Sequence, residues 1–222
     1  PNLQTEWLRE FIAGIRDAAL RHGISILGGD ISALPADSFS AILSLTGHLN
    51  AAPLLRSGAA VGDAIFVTGN LGGSLEGKHL SFQPRLAEGQ WLAESGLCSA
   101  LMDLTDGLAK DLPELIPTGS AASIKLDKIP IAPAAQTCAR RTGRDALDHA
   151  FCDGEDYELL FAVGKTSDLE SFQNAWEQTF PETQLTRIGT FCASDNGAAC
   201  LDAATGHPIP WTQGFEHLMP HE

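Results

Sequence analysis

Two carboxylates and a hydroxyl stand within four residues in Asp103-Leu104-Thr105-Asp106, followed by Gly107-Leu108. The stretch before them, Ala100 to Leu104, is short and apolar, like the end of a buried strand. After them, Leu108, Leu112 and Leu115 recur at four and three, one face of a helix. A strand-to-helix junction gathers unpaired backbone N–H groups and a positive helix end, which suits phosphate. Carboxylates at that place suit Mg²⁺, which takes oxygen ligands and keeps phosphate oxygens in its shell. Asp and Thr also cap helices for structural reasons alone, so the motif by itself leaves both uses open. An EF-hand is excluded. With Asp103 as the first loop position, Gly107 and Leu108 fall where an acidic ligand and the obligatory Gly belong.

Three further stretches bear on chemistry. Gly28-Gly29-Asp30 follows a short apolar run; paired glycines admit a bulky ligand and Asp30 could hold a cation, although a turn closed by Asp30 fits as well. Gly154-Glu155-Asp156-Tyr157-Glu158 sets three acids around the chain's single Tyr, directly before an apolar run. A solvated acidic turn is one reading; acids at a sheet end, where ligands gather, are the other. Gly72-Gly73-Ser74-Leu75-Glu76-Gly77-Lys78-His79 resembles a phosphate-binding loop but lacks the closing Ser/Thr that would hold Mg²⁺, and Pro84 follows too soon for a long helix. A tight glycine-rich connection is preferred there. Glu76 in place of Gly also excludes a nucleophile elbow.

The elements that must position these residues can be read from periodicity. Thr5 to His22 is an amphipathic helix stopped by Gly23. Strands are expected at Ile24–Leu27, Ser40–Leu49, Ala64–Thr68, Ser123–Leu126, Leu159–Val163 and Thr186–Phe191. Helices are expected at Ala134–Thr142 and Leu169–Phe180, and the tail from Gly206 is irregular. A domain boundary falls near Ser57 to Gly62, where a Gly-rich segment separates two strand-bearing parts. Strands and helices alternate without a strict βαβ rhythm, so an α+β or mixed sheet is expected rather than a Rossmann fold.

The net charge of −14 makes nucleic acid and anionic lipid poor partners, and any anionic substrate would need divalent cations to neutralise it locally. Five cysteines without a Cys-x-x-Cys pair point to reduced thiols in a cytosolic, cytoplasmic protein and not to zinc. No apolar run approaches a membrane span and no signal peptide is visible. The chain begins at Pro1 and not at Met, which is expected of a fragment or a trimmed chain.

Taken in order, Gly28-Gly29-Asp30, Arg56-Ser57-Gly58-Ala59, Gly62-Asp63, Val67-Thr68-Gly69, Pro84-Arg85, Met102 to Leu108, Gly154 to Leu159 and Gly214-Phe215-Glu216-His217 span essentially the whole chain. That order resembles the thiamine-monophosphate kinases, within the aminoimidazole-ribonucleotide-synthetase-like ATP-binding superfamily. The Gly-Glu-Asp-Tyr-Glu-Leu stretch is its most specific part. The resemblance implies a two-domain α+β fold: residues 1–57 as the remainder of an N-terminal ATP-binding and dimerisation domain, and 58–222 as a C-terminal domain of mixed sheet and packed helices. It implies a homodimer, with ATP and thiamine monophosphate as substrates and Mg²⁺ bridging phosphates. By motif position, Asp30, Asp103 and Asp106 are implied as Mg²⁺ ligands, with Asp103 and Asp106 central to catalysis. Gly29, Asp30, Arg56 and Thr105 are implied at the nucleotide, and Glu155 and Phe215 at the thiamine moiety.

The implied reaction is direct in-line transfer of the ATP γ-phosphoryl group onto thiamine monophosphate, giving thiamine diphosphate. Thr105 stands where the motif usually has Ser, which preserves the hydroxyl. The family's N-terminal portion, with its own Asp-rich segments and a His region that contacts substrate, is not in this sequence. Little or no kinase activity is therefore expected of this chain alone. Two other readings compete: a related enzyme with a different acceptor, and a non-catalytic ATP-binding or dimerisation module.

Overall fold

The computed structural model describes residues 3–33, 38–194, 197, 199–212 and 214. It forms two compact units, one running to His48 and one from Leu49. The first unit holds helix α1 (Thr5–Arg21), which ends where Gly23 turns left-handed, as the sequence predicts. No residue of α1 is buried. Trp7 and Phe11 stack at 5.4 Å, with Phe39 edge-on to both. The strands expected at Ile24–Leu27 and Ser40–Leu49 do not form; the described residues there are irregular and exposed. Alternating apolar residues make a strand only when a neighbour accepts their backbone hydrogen bonds, and the described residues of this unit include no strand to pair with.

The second unit is built on a six-stranded mixed sheet, in spatial order β2-β4-β1-β5-β3-β6. The strands are β1 (Ala64–Thr68), β2 (Cys98–Asp103), β3 (Ser120–Ile124), β4 (Leu159–Val163), β5 (Leu185–Ala193) and β6 (Cys200–Asp202). All pairs are antiparallel except β3 with β6. The central strands β1 and β4 are buried on both faces, which explains why they read as unbroken apolar runs. Helices α2 (Leu86–Ser95) and α6 (Leu169–Thr179) cover one face, where Phe66, Phe161, Phe172 and Trp176 interlock. Helices α3 (Leu108–Asp111) and α5 (Ala146–Cys152) cover the other, where Leu108, Leu112, Ala150 and Phe151 meet Ile65, Val67 and Leu160. Helix α4 (Pro133–Thr142) packs on α5.

Several differences from the sequence reading have local causes. β3 starts three residues early, at Ser120, and stops at Ile124, because Leu126 opens a 3-10 turn instead of extending the strand's end. Helix α2 shows no apolar periodicity because its inward face carries Glu88, whose carboxylate accepts from Arg85 and Thr183. Helix α5 is a two-turn element capped by the Asp145 side chain on the Leu147 N–H, at 3.0 Å. Ahead of β1, Leu54 packs on the aromatic face of the second unit, and the Leu55 carbonyl accepts from the Leu101 N–H at 3.0 Å.

Candidate active site

Strand β2 ends at Asp103, whose side chain is exposed, while Leu104 beside it is fully buried. The β2–β4 ladder then runs on beyond both strands. The Leu104 N–H donates to the Glu158 carbonyl (2.8 Å), and Leu104 O accepts from the Tyr157 N–H (2.8 Å). Thr105 O accepts from the Glu155 N–H (2.7 Å). Two motifs some fifty positions apart in sequence are thus fastened into one sheet end.

The junction itself is not a helix cap. Gly107 occupies the N-cap position of α3 without any side-chain cap bond. The turn is closed from the other side, where Asp111 Oδ2 accepts from the Thr105 and Asp106 N–H groups at 2.8 and 3.0 Å. Burial raises the Asp111 carboxyl above its usual range, and those backbone bonds oppose the rise. Two N–H groups that the sequence offered to phosphate are therefore occupied, and α3 is a single turn. What the junction presents is side chains: exposed Asp103, half-buried Thr105, and Asp106 ion-paired to Lys110 at 2.9 Å. Leu108, Leu112 and Leu115 are all buried, as their spacing predicts.

The acidic stretch is no solvated turn. Asp156 and Glu158 are each 1% exposed. Asp156 Oδ1 accepts from the Gly72 N–H (2.9 Å) and from Ser74 Oγ, and Asp153 accepts from the Gly73 N–H (3.2 Å). The glycine loop is therefore held by carboxylates rather than wrapped around phosphate. Lys78 donates to Glu158 at 2.8 Å, a structural task that agrees with rejecting a phosphate-binding loop. Burial pushes the Asp156 carboxyl up to about 6 despite those donors, and its Oδ2 has no hydrogen-bond partner. Burial also acts on Glu158, but Arg85, Lys78 and Thr68 outweigh it and hold that carboxyl below the usual range.

Alternating with the two buried acids, Glu155 and Tyr157 are half-buried. Both are non-glycine residues in the left-handed region, with φ of +59° and +51°. The Tyr157 hydroxyl donates to Glu155 Oε2 at 2.7 Å, and its ring stacks on Phe82 with centroids 4.0 Å apart. Left-handed conformations at non-glycine residues cost of order 1 kcal/mol and cluster where function needs them.

Arg56 is exposed on the segment beside β2. Gly28, Gly29 and Asp30 lie in the first unit, all exposed, and Asp30 accepts from Ser32 Oγ at 3.0 Å. Phe215 lies outside the described residues, though Gly214 before it sits against the Asp106 backbone. Among the described residues, no three His, Cys, Asp or Glu side chains come together as a metal site. Sequence reading gave no role to Arg85, Tyr157 or Phe82. Tyr157 carried a signal, as the chain's single Tyr among acids, whereas Phe82 carried none.

No protein-family model matches the chain. A thiamine-monophosphate kinase of Rhodopirellula baltica is 40% identical over 162 residues, covering 72% of this chain and 50% of that protein. The chain belongs to the thiamine-monophosphate kinase family. It spans about half the length of the curated members it matches. Among solved structures, AaThiL complexed with AMPPCP and TMP superposes with a TM-score of 0.71, at 21% identity over 98% of this chain and 70% of that one. The hydrogenase maturation protein HypE has the same fold, with a TM-score of 0.66 at 18% identity over 99% of this chain and 75% of its own. The shared architecture agrees with the aminoimidazole-ribonucleotide-synthetase-like α+β fold expected for thiamine-monophosphate kinases. Among the described residues, no helix is long and apolar enough to cross a membrane.

Proposed function

We propose that this chain provides the acceptor-binding part of an ATP-dependent kinase that converts thiamine monophosphate to thiamine diphosphate. One observation carries the reading: the Thr105 carbonyl and the Glu155 N–H share a hydrogen bond of 2.7 Å, which fastens the aspartate junction to the acidic stretch. The Rhodopirellula baltica relative and the ligands named with AaThiL support the choice of substrates.

Asp103 and Asp106 are hard oxygen donors at an open sheet end, and Mg²⁺ commonly takes only one or two carboxylates beside phosphates, so the pair fits it. Asp30, from the first unit, is the third proposed ligand. Bound there, Mg²⁺ would neutralise charge on the transferring phosphates. Thr105, Gly29 and Arg56 contact the nucleotide; the Arg56 guanidinium supplies local positive charge on a chain of net charge −14. Glu155 accepts from the aminopyrimidine, and Phe215 offers its ring to the thiamine moiety. An acceptor phosphate is already largely ionised near neutral pH, so the site needs orientation and charge compensation, not a strong base. Residues 1–57 are proposed as the end of an ATP-binding and dimerisation domain, residues 58–222 as the C-terminal domain, and the working form as a homodimer.

Titration calorimetry with a non-hydrolysable ATP analogue, with and without Mg²⁺, tests the metal assignment. Asp103→Ala and Asp106→Ala are expected to lose at least tenfold of the Mg²⁺-dependent affinity while keeping a native circular dichroism spectrum. Retention of wild-type affinity by either variant would remove the aspartates from the site. ATP consumption that ignores thiamine monophosphate would favour the alternative of a related enzyme with another acceptor.

A further inference from the structure

We infer that Tyr157 is a positioning residue: braced by Phe82, it fixes the Glu155 carboxylate in the orientation that accepts from the amino group of the acceptor's pyrimidine. The inference rests on the reading of Glu155 as an acceptor contact and goes beyond it by saying what holds that carboxylate still. A glutamate at a sheet end ordinarily samples several rotamers, and a ligand that needs one of them loses affinity to the ordering. Here the freedom is removed in three ways. The Glu155 N–H is tied to Thr105 O and the Tyr157 N–H to Leu104 O, so both backbones are anchored to the end of β2. Asp156 between them is buried and bonded to the glycine loop, which anchors the backbone between the half-buried residues 155 and 157. The Tyr157 hydroxyl then takes Glu155 Oε2, leaving Oε1 to accept from a ligand.

Two left-handed non-glycine residues in three positions are a strained arrangement. A tight turn alone would be served by glycine or asparagine at lower cost. The strain does bring the phenol and the carboxylate face to face. The hydroxyl also stays a donor throughout the working range: its bond to Glu155, then burial, then the charges of Glu155 and Asp103 push it up to about 12.

Calorimetry on the full chain tests this with two ligands, thiamine monophosphate and the analogue in which oxygen replaces the pyrimidine amino group. Tyr157→Phe keeps the ring and its stack on Phe82 but removes the donor. It is expected to weaken thiamine monophosphate about tenfold, as for a lost hydrogen bond to a charged group. The oxygen analogue and the ATP analogue should change less than twofold. Glu155→Gln should also weaken thiamine monophosphate, and the double variant should be no weaker than Glu155→Gln alone. Phe82→Leu, which leaves the hydroxyl but loosens the ring, should show the same selective loss in smaller measure. Unchanged binding by Tyr157→Phe beside a weakened Glu155→Gln overturns the positioning role and leaves the Glu155 contact standing. Equal weakening toward both ligands overturns it as well, because a merely structural tyrosine would act that way. Full affinity in Glu155→Gln, or no binding by the unaltered chain, overturns the acceptor reading and this inference with it.

Discussion

Asp156 and Glu158 lie two residues apart and equally buried, and burial raises both carboxyls, but Glu158 ends below its usual range because Arg85 and Lys78 hydrogen-bond to it directly. The consequence is measurable. With its carboxyl pushed up to about 6, Asp156 binds its proton more tightly in the folded chain than in the unfolded one. Its contribution therefore favours folding near pH 4 and is withdrawn as the pH rises through 6. Glu158, held below its usual range, contributes stability above the unfolded carboxyl range that is lost as the pH falls through its folded pKa. Asp156→Asn keeps an acceptor for the Gly72 N–H and cannot titrate. Urea unfolding should show the variant gaining on the wild type by up to about 2 kcal/mol between pH 4 and pH 7. A difference that stays constant with pH would mean that Asp156 is ionised in both states.

At the level of elements, the acidic stretch acts as a clasp. It joins the end of β2 through backbone bonds and the glycine loop through carboxylates, while Arg85 at the start of α2 reaches Glu158. The loop can lie this close because Gly72 has φ of +84° and a Cβ there would come within 2.7 Å of the Ala150 nitrogen in α5. Gly72→Ala meets both a strained backbone and fixed helix atoms, so a loss of more than about 2 kcal/mol is expected in urea unfolding. Beside it, His149 bridges Asp153 and the Thr142 hydroxyl, both at 2.9 Å, linking α5 to the end of α4. An unaltered midpoint in Gly72→Ala would show that the loop can move off α5.

Over the whole molecule, apolar surface is unevenly divided. Among the described residues the buried core lies in the second unit, whereas Ile26, Leu27, Ile42 and Leu43 in the first are more than half exposed. Such a run of exposed aliphatic residues favours association, and the proposed homodimer would cover it. Sedimentation velocity is expected to show concentration-dependent self-association that Leu27→Lys combined with Ile42→Lys reduces. A monomer at all concentrations would place dimerisation elsewhere.

Much of the second unit was legible without coordinates. Ala64–Thr68 and Leu159–Val163 announce themselves because a strand buried on both faces is apolar throughout, and Leu108, Leu112 and Leu115 repeat as a helix must. The motifs themselves, and the family they belong to, were fixed by residue order along the chain. Folding decided three things that order could not. It decided which acids are buried, since Asp156 and Glu158 look as soluble on paper as Glu155 does. It decided that Asp111, and not Thr105 or Asp106, closes the junction. It also brought Phe82 onto Tyr157 across seventy-five positions. The physical reason is common to all three: periodicity reports the environment of a segment along its own axis, whereas burial of a charge and the partner that compensates it are set by chain that arrives from elsewhere.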